Sequence, residues 1–268
     1  MKPLSVRRRA LSVVLLSAVL SELAVTQWAR AKAHPRPSGR LQQLTAPDQV
    51  PDGLAQSDWQ SIRAAYEAGR HAFQPITGEP GGWQAENPGQ QWLTTFDGRG
   101  FLAKPQSGGW TWGLTLQSYG FGDQQQAIGG TPGVRTTGPR LAYHWNATVQ
   151  EWFVNDQRGL EHGFTLSARP APAAGEASAD LLALHLSVRG TLRPRVSADA
   201  QGVEFHDATG ATVLTYAGLL VWDANGTALP AHFAASGEQM VRLLVDERGA
   251  RYPLTIDPIA QQAYLKAS

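Results

Sequence analysis

Leu181-Leu-Ala-Leu-His-Leu-Ser-Val-Arg189 alternates cleanly: Leu182, Leu184, Leu186 and Val188 fall on one face, His185, Ser187 and Arg189 on the other. A period of two means a half-buried strand. The same pattern returns in Met240–Asp246, where Val241, Leu243 and Val245 share a face, and in Arg251–Asp257, where Tyr252, Leu254 and Ile256 do. Between Leu181 and Pro258 an aspartate is followed three residues later by a glycine at Asp199/Gly202, Asp207/Gly210, Asp223/Gly226 and Asp246/Gly249. Aspartate accepts local backbone N–H bonds at the start of a turn, and glycine takes the positive φ that closes it. Strands and turns in this order predict a mainly β fold: antiparallel sheets in a β-sandwich-like meander.

Upstream the same grammar continues. Gln90–Phe96 and Gly100–Lys104 read as strands joined by an Asp97–Gly100 turn. Gly109–Tyr119 places Trp110, Trp112, Leu114 and Leu116 on one face. Gly120–Gly138, rich in Gly and Gln, reads as a long loop with at most one edge strand. Leu141–Asn146 with Val149–Asn155 form a hairpin, and Gly159–Ala168 is a further strand. Pro170–Ala179 is a Pro and Ala-rich loop or a boundary near 170–180, leaving open one composite unit or two subdomains. One amphipathic helix precedes the strands. Ser57 is its expected N-cap with Gln60 completing a capping box, Trp59, Ile62 and Tyr66 form the face expected to cover a sheet, and Gly69 stands at its end.

The chain has 268 residues, 42% of them hydrophobic, and no cysteine, so neither disulfides nor a thiolate site is available. Nine Trp, six Tyr and eight Phe must supply much of the packing. Lys2 and Arg7–Arg9 followed by the apolar run Ala10–Leu20 and small-residue sites near Ala31 read as a signal peptide over 1–31. A mobile Pro/Gln/Ser-rich linker covers 32–53. Cleavage after Ala31 removes five basic residues against one acidic, taking 23 and 22 to 18 and 21. The mature chain is mildly acidic, which argues against nucleic acid or an anionic membrane as partner, and no membrane span is expected after cleavage.

Catalytic motifs are absent from the sequence: no G-x-S-x-G elbow, no H-E-x-x-H and no phosphate loop. The seven histidines show no ligand spacing, and Asp223, Asn225 and Gly226 resemble half of a calcium loop, but the later bidentate Glu is missing and a hairpin turn accounts for all three. No catalytic, cofactor or metal residue is therefore assigned, and no cofactor is expected. The densest polar cluster is Asn155, Asp156, Arg158, Glu161 and His162. Asp156 or Glu161 would be the general acid or base of a hydrolase, but a turn and an exposed strand face explain them better. Trp110, Trp112, Trp145 and Trp152 raise carbohydrate stacking, against which stands their parity with core leucines. Asn146 and Asn225 sit in glycosylation sequons, which matter only in a eukaryotic secretory pathway.

Two runs resemble a known family. One comprises Asn87-Pro-Gly-Gln-Gln-Trp92, Phe96-Asp-Gly-Arg-Gly-Phe101, Gly109-Trp-Thr-Trp-Gly-Leu114 and Glu151-Trp-Phe-Val-Asn-Asp-Gln-Arg-Gly-Leu-Glu-His-Gly-Phe164; the other is Tyr252-Pro-Leu-Thr-Ile-Asp-Pro258 with Gln261-Gln-Ala-Tyr-Leu-Lys-Ala-Ser268. Together they resemble the N-terminal leader region of bacterial secreted FG-GAP (integrin-α-like) repeat proteins. The close of the second run is also similar to the leader domain of SBBP-type repeat proteins. The resemblance implies a β-rich leader domain over 54–258, with 259–268 starting a downstream repeat or forming a truncated tail. It implies a non-enzymatic, secreted or cell-surface module of structural or adhesive role. Its partners would be the β-propeller repeats that follow in the same polypeptide, or an extracellular protein or glycan. Calcium sites of such proteins belong to the repeats, so none is carried over.

Overall fold

The computed structural model describes residues 50–170 and 181–263. The expected signal peptide, the linker up to residue 49, the 171–180 stretch of the boundary and residues 264–268 lie outside them. A helix, α1 (Gln56–Arg70), comes first, followed by β1 (Gln74–Pro75), β2 (Trp83–Asn87), β3 (Trp92–Phe96), β4 (Phe101–Pro105), β5 (Trp112–Phe121) and β6 (Gln124–Ala127). Then come β7 (Gly133–Thr137), β8 (Arg140–His144), β9 (Val149–Asp156), β10 (Gly159–Leu166), β11 (Leu182–Gly190) and β12 (Arg193–Val196). The last are β13 (Gly202–His206), β14 (Thr212–Trp222), β15 (Ala231–Ala235), β16 (Met240–Val245) and β17 (Leu254–Gln262).

The strands form two antiparallel sheets. One runs β1-β2-β3-β4-β5-β11-β16-β15 with β6 attached to β5; the other runs β12-β13-β14-β17-β10-β9-β8-β7. Strands from both sides of 171–180 enter both sheets, since β11 pairs with β5 and β17 with β10. The fold is mainly β, as the alternation predicts. Leu182, Leu184, Leu186, Val241, Leu243, Val245, Leu254 and Ile256 are all buried in one core.

Aromatic rings lock the two inner faces together. Phe96 of the first sheet meets Phe153 of the second at 4.9 Å between centroids, Phe101 meets Phe153 at 5.6 Å, and Trp112 meets Phe205 at 5.1 Å. These edge-on contacts add to the area term, and burying each such side chain contributes roughly 1.5–3 kcal/mol. The approach of the strands is close: a Cβ on Gly113 would stand 1.9 Å from the Phe101 carbonyl oxygen, so only glycine fits there.

Five local expectations are corrected. The helix begins before Ser57: Asp58 and Trp59 already donate to the Ala55 carbonyl at 3.1 and 3.0 Å, and Ala55 caps without a side-chain bond. Its apolar stripe also points outward. Ile62 and Tyr66 are 50% and 62% exposed, while Trp59, Arg63 and Glu67 are half-buried. Gly120–Gly138 holds two strands rather than a loop. β6 and β7 are edge strands recruited by backbone pairing, Ser118–Phe121 with β6 and Arg140–His144 with β7, and such strands need no apolar alternation. Finally, Ile259–Gln262 does not open a new element. It continues β17, with Gln262 paired to Leu214 and Ala260 to both Tyr216 and Leu160. At the turns, Gly210, Gly226 and Gly249 take φ of +85°, +78° and +77°. Near Asp199 it is Ala200 (φ +57°) that does so, because Gly202 already begins β13.

Candidate functional site

The β9–β10 hairpin carries the polar cluster singled out by sequence, and its alternation separates that cluster into three environments. Phe153 and His162 oppose each other on the inner face, Val154 and Glu161 on the outer face, and Asn155 closes the inner face at the turn.

Inward lies a chain of four side chains. His162 and Glu151, both fully buried, meet at 2.7 Å between Nε2 and Oε1. Trp145 Nε1 donates to the other carboxyl oxygen at 2.8 Å, and the Tyr216 hydroxyl lies 3.0 Å from His162 Nδ1. The ring of His162 stacks on Phe153 at 4.9 Å. Burial holds the Tyr216 phenol far above its ordinary pKa, so it stays protonated. Sequence reasoning placed His162 in the cluster but missed Glu151 and Tyr216. The signal for Glu151 was present, since it shares the inward parity of Val149 and Phe153.

At the turn, the Asn87-Pro-Gly-Gln90 segment grips the hairpin. Asn87 Nδ2 donates to Asn155 Oδ1 (2.8 Å) and to the carbonyls of Asp156 (2.7 Å) and Gly159 (3.1 Å), while its Oδ1 accepts from Gln90 N at 2.9 Å. Asn155 Nδ2 in turn donates to the carbonyls of Glu86 (2.7 Å) and His71 (3.1 Å). Both asparagines are buried. These residues are structural keystones of the quoted run, and every polar atom of the two amides has a partner.

Outward, Arg158 bonds Asp156 through Nε and Nη2 at 3.0 and 2.7 Å and also contacts Glu161. Asp156 lies at the mouth of a cleft with Glu67 and His71, whereas Glu161 stands on the strand face, its side chain 16% exposed. The arrangement does not bring Asp156 and Glu161 together around a substrate space; it ties both to one exposed guanidinium. Beside them Trp152 lies flat across Gly163, where an added Cβ would come within 2.0 Å of the ring. Arg140 covers the opposite face of that ring at 4.4 Å.

Asp257 completes this outer face, and the sequence did not single it out. Burial, together with the Glu161 carboxylate, pushes its carboxyl up to about 6 against the opposing pull of Arg158 and Arg140. The folded state therefore holds a proton more tightly than the unfolded chain, whose value is near 3.8. The cost of ionising Asp257 is absent below pH 4 and complete above pH 6, so this group lowers stability as pH rises. Asp257→Asn is expected to stabilise the protein at pH 7 by about 1 kcal/mol, discounted for the half-exposed carboxyl. At pH 4 it is expected to change nothing. Urea unfolding at both pH values checks this, and an equal gain at both would refute the raised pKa.

The tryptophans do not form a platform. Trp112 and Trp152 are buried, Trp110 and Trp145 half-buried, and no tryptophan among the described residues is exposed. Trp110 packs on Trp92 at 6.3 Å and Trp145 on Tyr143 at 5.6 Å. Asp223 is 4% exposed, and its carboxylate accepts backbone N–H bonds from Asn225 (2.8 Å), Thr227 (2.9 Å) and Arg251 (3.0 Å). These bonds, the one from Arg251 first, lower its pKa and fasten the β14–β15 turn to the approach of β17. Among the described residues no three His, Asp or Glu gather as a metal site, and no helix is long and apolar enough to cross a membrane.

No protein-family model matches the sequence, and no curated protein matches it. Among solved structures the chain is similar to a family GH92 inverting mannosidase from Bacteroides thetaiotaomicron VPI-5482, with 12% identity and a TM-score of 0.34. That match covers 72% of this chain and 29% of the mannosidase. A likeness of this degree carries no argument about activity.

Proposed function

We propose that residues 54–263 are a non-catalytic β-sandwich module of a secreted or cell-surface bacterial protein, which holds the FG-GAP-type repeats that follow it in a fixed orientation. The observation that carries this reading is the seat of β17. It is an interior strand of its sheet, paired on both sides, and its end is clamped: Gln262 N donates to Gln90 Oε1 at 2.7 Å and Gln261 Nε2 to the Arg158 carbonyl at 2.8 Å. The last paired residues of such a strand are held in place and direction by two neighbours, which gives whatever follows a fixed starting point. Gln90 belongs to the run that resembles the repeat-protein leaders, so the resemblance and the clamp fall on the same residues.

The test is the nucleotide sequence past codon 268. An open frame leading into repeated Phe-Gly and Gly-Ala-Pro motifs is the expected result. A stop codon at that point would overturn the orienting role, since nothing would remain to be oriented.

A further inference from the structure

β6, β5, β11, β16 and β15 lie side by side in the first sheet, and not one of them contains an aspartate or a glutamate. Their inner face is apolar core, while the outer face carries His185, Ser187 and Arg189 on β11, Arg242 on β16 and His232 on β15. Register sets Ser118 of β5, His185 of β11 and Arg242 of β16 in one row, with Thr115, Ser187 and Met240 in the next. Directly opposed side chains have Cβ atoms about 5 Å apart and diagonal ones about 7 Å, so the long Arg242 side chain reaches both His185 and Ser187. Arg242 is half-buried, and among the described residues it makes no ion pair and no hydrogen bond. Its Nε is closed to water, which leaves only the two Nη nitrogens at the surface. Taking a guanidinium nitrogen out of water without a partner is unfavourable. Arg189 differs, since Asp97 holds it at 2.8 and 3.1 Å, and it stands about 13 Å along the strand from His185. Burial, and after it the Arg242 charge, hold the His185 imidazole below its ordinary pKa. Neither that ring nor the Ser187 hydroxyl has a hydrogen-bond partner among the described residues, and both can donate to an oxygen placed over the row.

We propose that the row of Arg242, His185 and Ser187 binds a single oxyanion group, a carboxylate, phosphate or sulfate carried by a ligand. The two Nη nitrogens offer the parallel N–H pair that two oxygens of such a group accept. Ser187 and His185 are placed to donate to the lone pairs that remain. The sign of the ligand follows from the face: a cation meets only positive charge there, and a neutral group leaves the guanidinium without a counter-ion. The site does not depend on the orienting role proposed above, and either can fail without the other.

The test is NMR on the ¹⁵N-labelled full chain, following the Arg242 Nε resonance and the His185 ring. The probes are sodium acetate, phosphate and sulfate, each replacing sodium chloride at constant ionic strength. The expected result is a saturable shift at both residues with a Kd of about 1 mM for at least one probe. Saturation also carries the His185 titration to higher pH, because the bound charge cancels that of Arg242, the charged group facing it from β16. From β5 it faces only Ser118, and its neighbours on its own strand face are Ala183 and Ser187. In Arg242→Gln the response at His185 weakens about tenfold, the loss of a charge-assisted pair. Ser187→Ala is the milder variant, weakened about threefold, and it decides the matter if Arg242→Gln does not fold. Saturation by acetate alone assigns the site to a carboxylate, and by phosphate and sulfate alone to a tetrahedral oxyanion. No saturable shift with any probe, or a His185 response that both variants leave intact, overturns the proposal.

Discussion

Replacing Glu151 by alanine is expected to lower the unfolding free energy by about 3–5 kcal/mol, because it strands two buried donors or acceptors at once. Trp145 Nε1 loses its acceptor and His162 Nε2 loses the partner 2.7 Å away, in a position where neither side chain of the pair has any exposure. Water cannot repair the loss without opening the aromatic interior formed by Phe101, Phe153 and Phe164 around the imidazole. Glu151→Gln is expected to cost much less, about 1 kcal/mol. Its amide oxygen can take the Trp145 N–H, while its NH₂ can donate to a His162 whose proton has moved to Nδ1, toward the Tyr216 oxygen. Removing both members should be milder than the sum of parts. In Glu151→Leu with His162→Phe the pair's own polar demand disappears, but Trp145 Nε1 and the Tyr216 hydroxyl lose their partners, so the double change is expected to remain destabilising. Urea unfolding of the four proteins checks the scheme. A loss below about 1 kcal/mol for Glu151→Ala would mean that the chain of bonds contributes nothing net.

The buried chain also shows where reading the sequence succeeds and where it stops. Parity alone sends Leu182, Leu184 and Leu186 inward, and they are inward, because a strand with one wet face has no other way to bury three leucines. Parity likewise placed Trp112 in the core. What parity cannot supply is the partner on another strand of the sheet. Tyr216 meets His162 only because β14, β17 and β10 are neighbours in one sheet, a contact spanning 54 residues. The same holds for Asp257. Nothing local marks it, and its raised pKa comes from burial and from Glu161 on the adjacent strand.

Edge elements were misread for a different reason. β6 is Gln124-Gln-Gln-Ala127, all polar but for its last residue, and its place is set by backbone bonds to β5 that leave no trace in side-chain pattern. The helix stripe failed in the opposite sense. Ile62 and Tyr66 have the spacing of a buried face, yet the half-buried face carries Arg63 and Glu67. The Glu67 carbonyl closes the end of the helix, receiving both His71 N (3.3 Å) and His71 Nδ1 (2.8 Å). Among candidate site residues, the sequence named Asp156, Glu161 and His162 as one cluster; Asp156 and Glu161 share the Arg158 guanidinium on the outside, while His162 turns into the core. A hairpin separates residues that are adjacent in sequence onto opposite faces, so density along the chain was a poor guide to proximity in space.

Asn87→Ala is expected to cost about 2–4 kcal/mol and to loosen the β9–β10 turn before the rest of the sandwich. The Asn87 amide feeds three acceptors on the hairpin, Asn155 Oδ1 and the carbonyls of Asp156 and Gly159, and its oxygen orders Gln90 N. Gln90 is the clamp on Gln262, so the effect should travel to the end of β17. Hydrogen exchange is then expected to accelerate at Gln262 N as well as at Arg158 N, while Leu184 and Leu243 keep their protection. Asn87→Asp makes the sharper test, because it preserves the shape and removes only the donors. A carboxylate set against three acceptor oxygens in a buried site repels all of them, so this near-isosteric change is expected to destabilise at least as much as the truncation to alanine. If Asn87→Asp unfolds like the native protein, the amide must point the other way and the turn must be held by something else. If it destabilises while exchange at Gln262 stays slow, the clamp on β17 is independent of the Asn87 turn, and the rigidity of the chain's exit rests on the strand pairing to β14 and β10 alone.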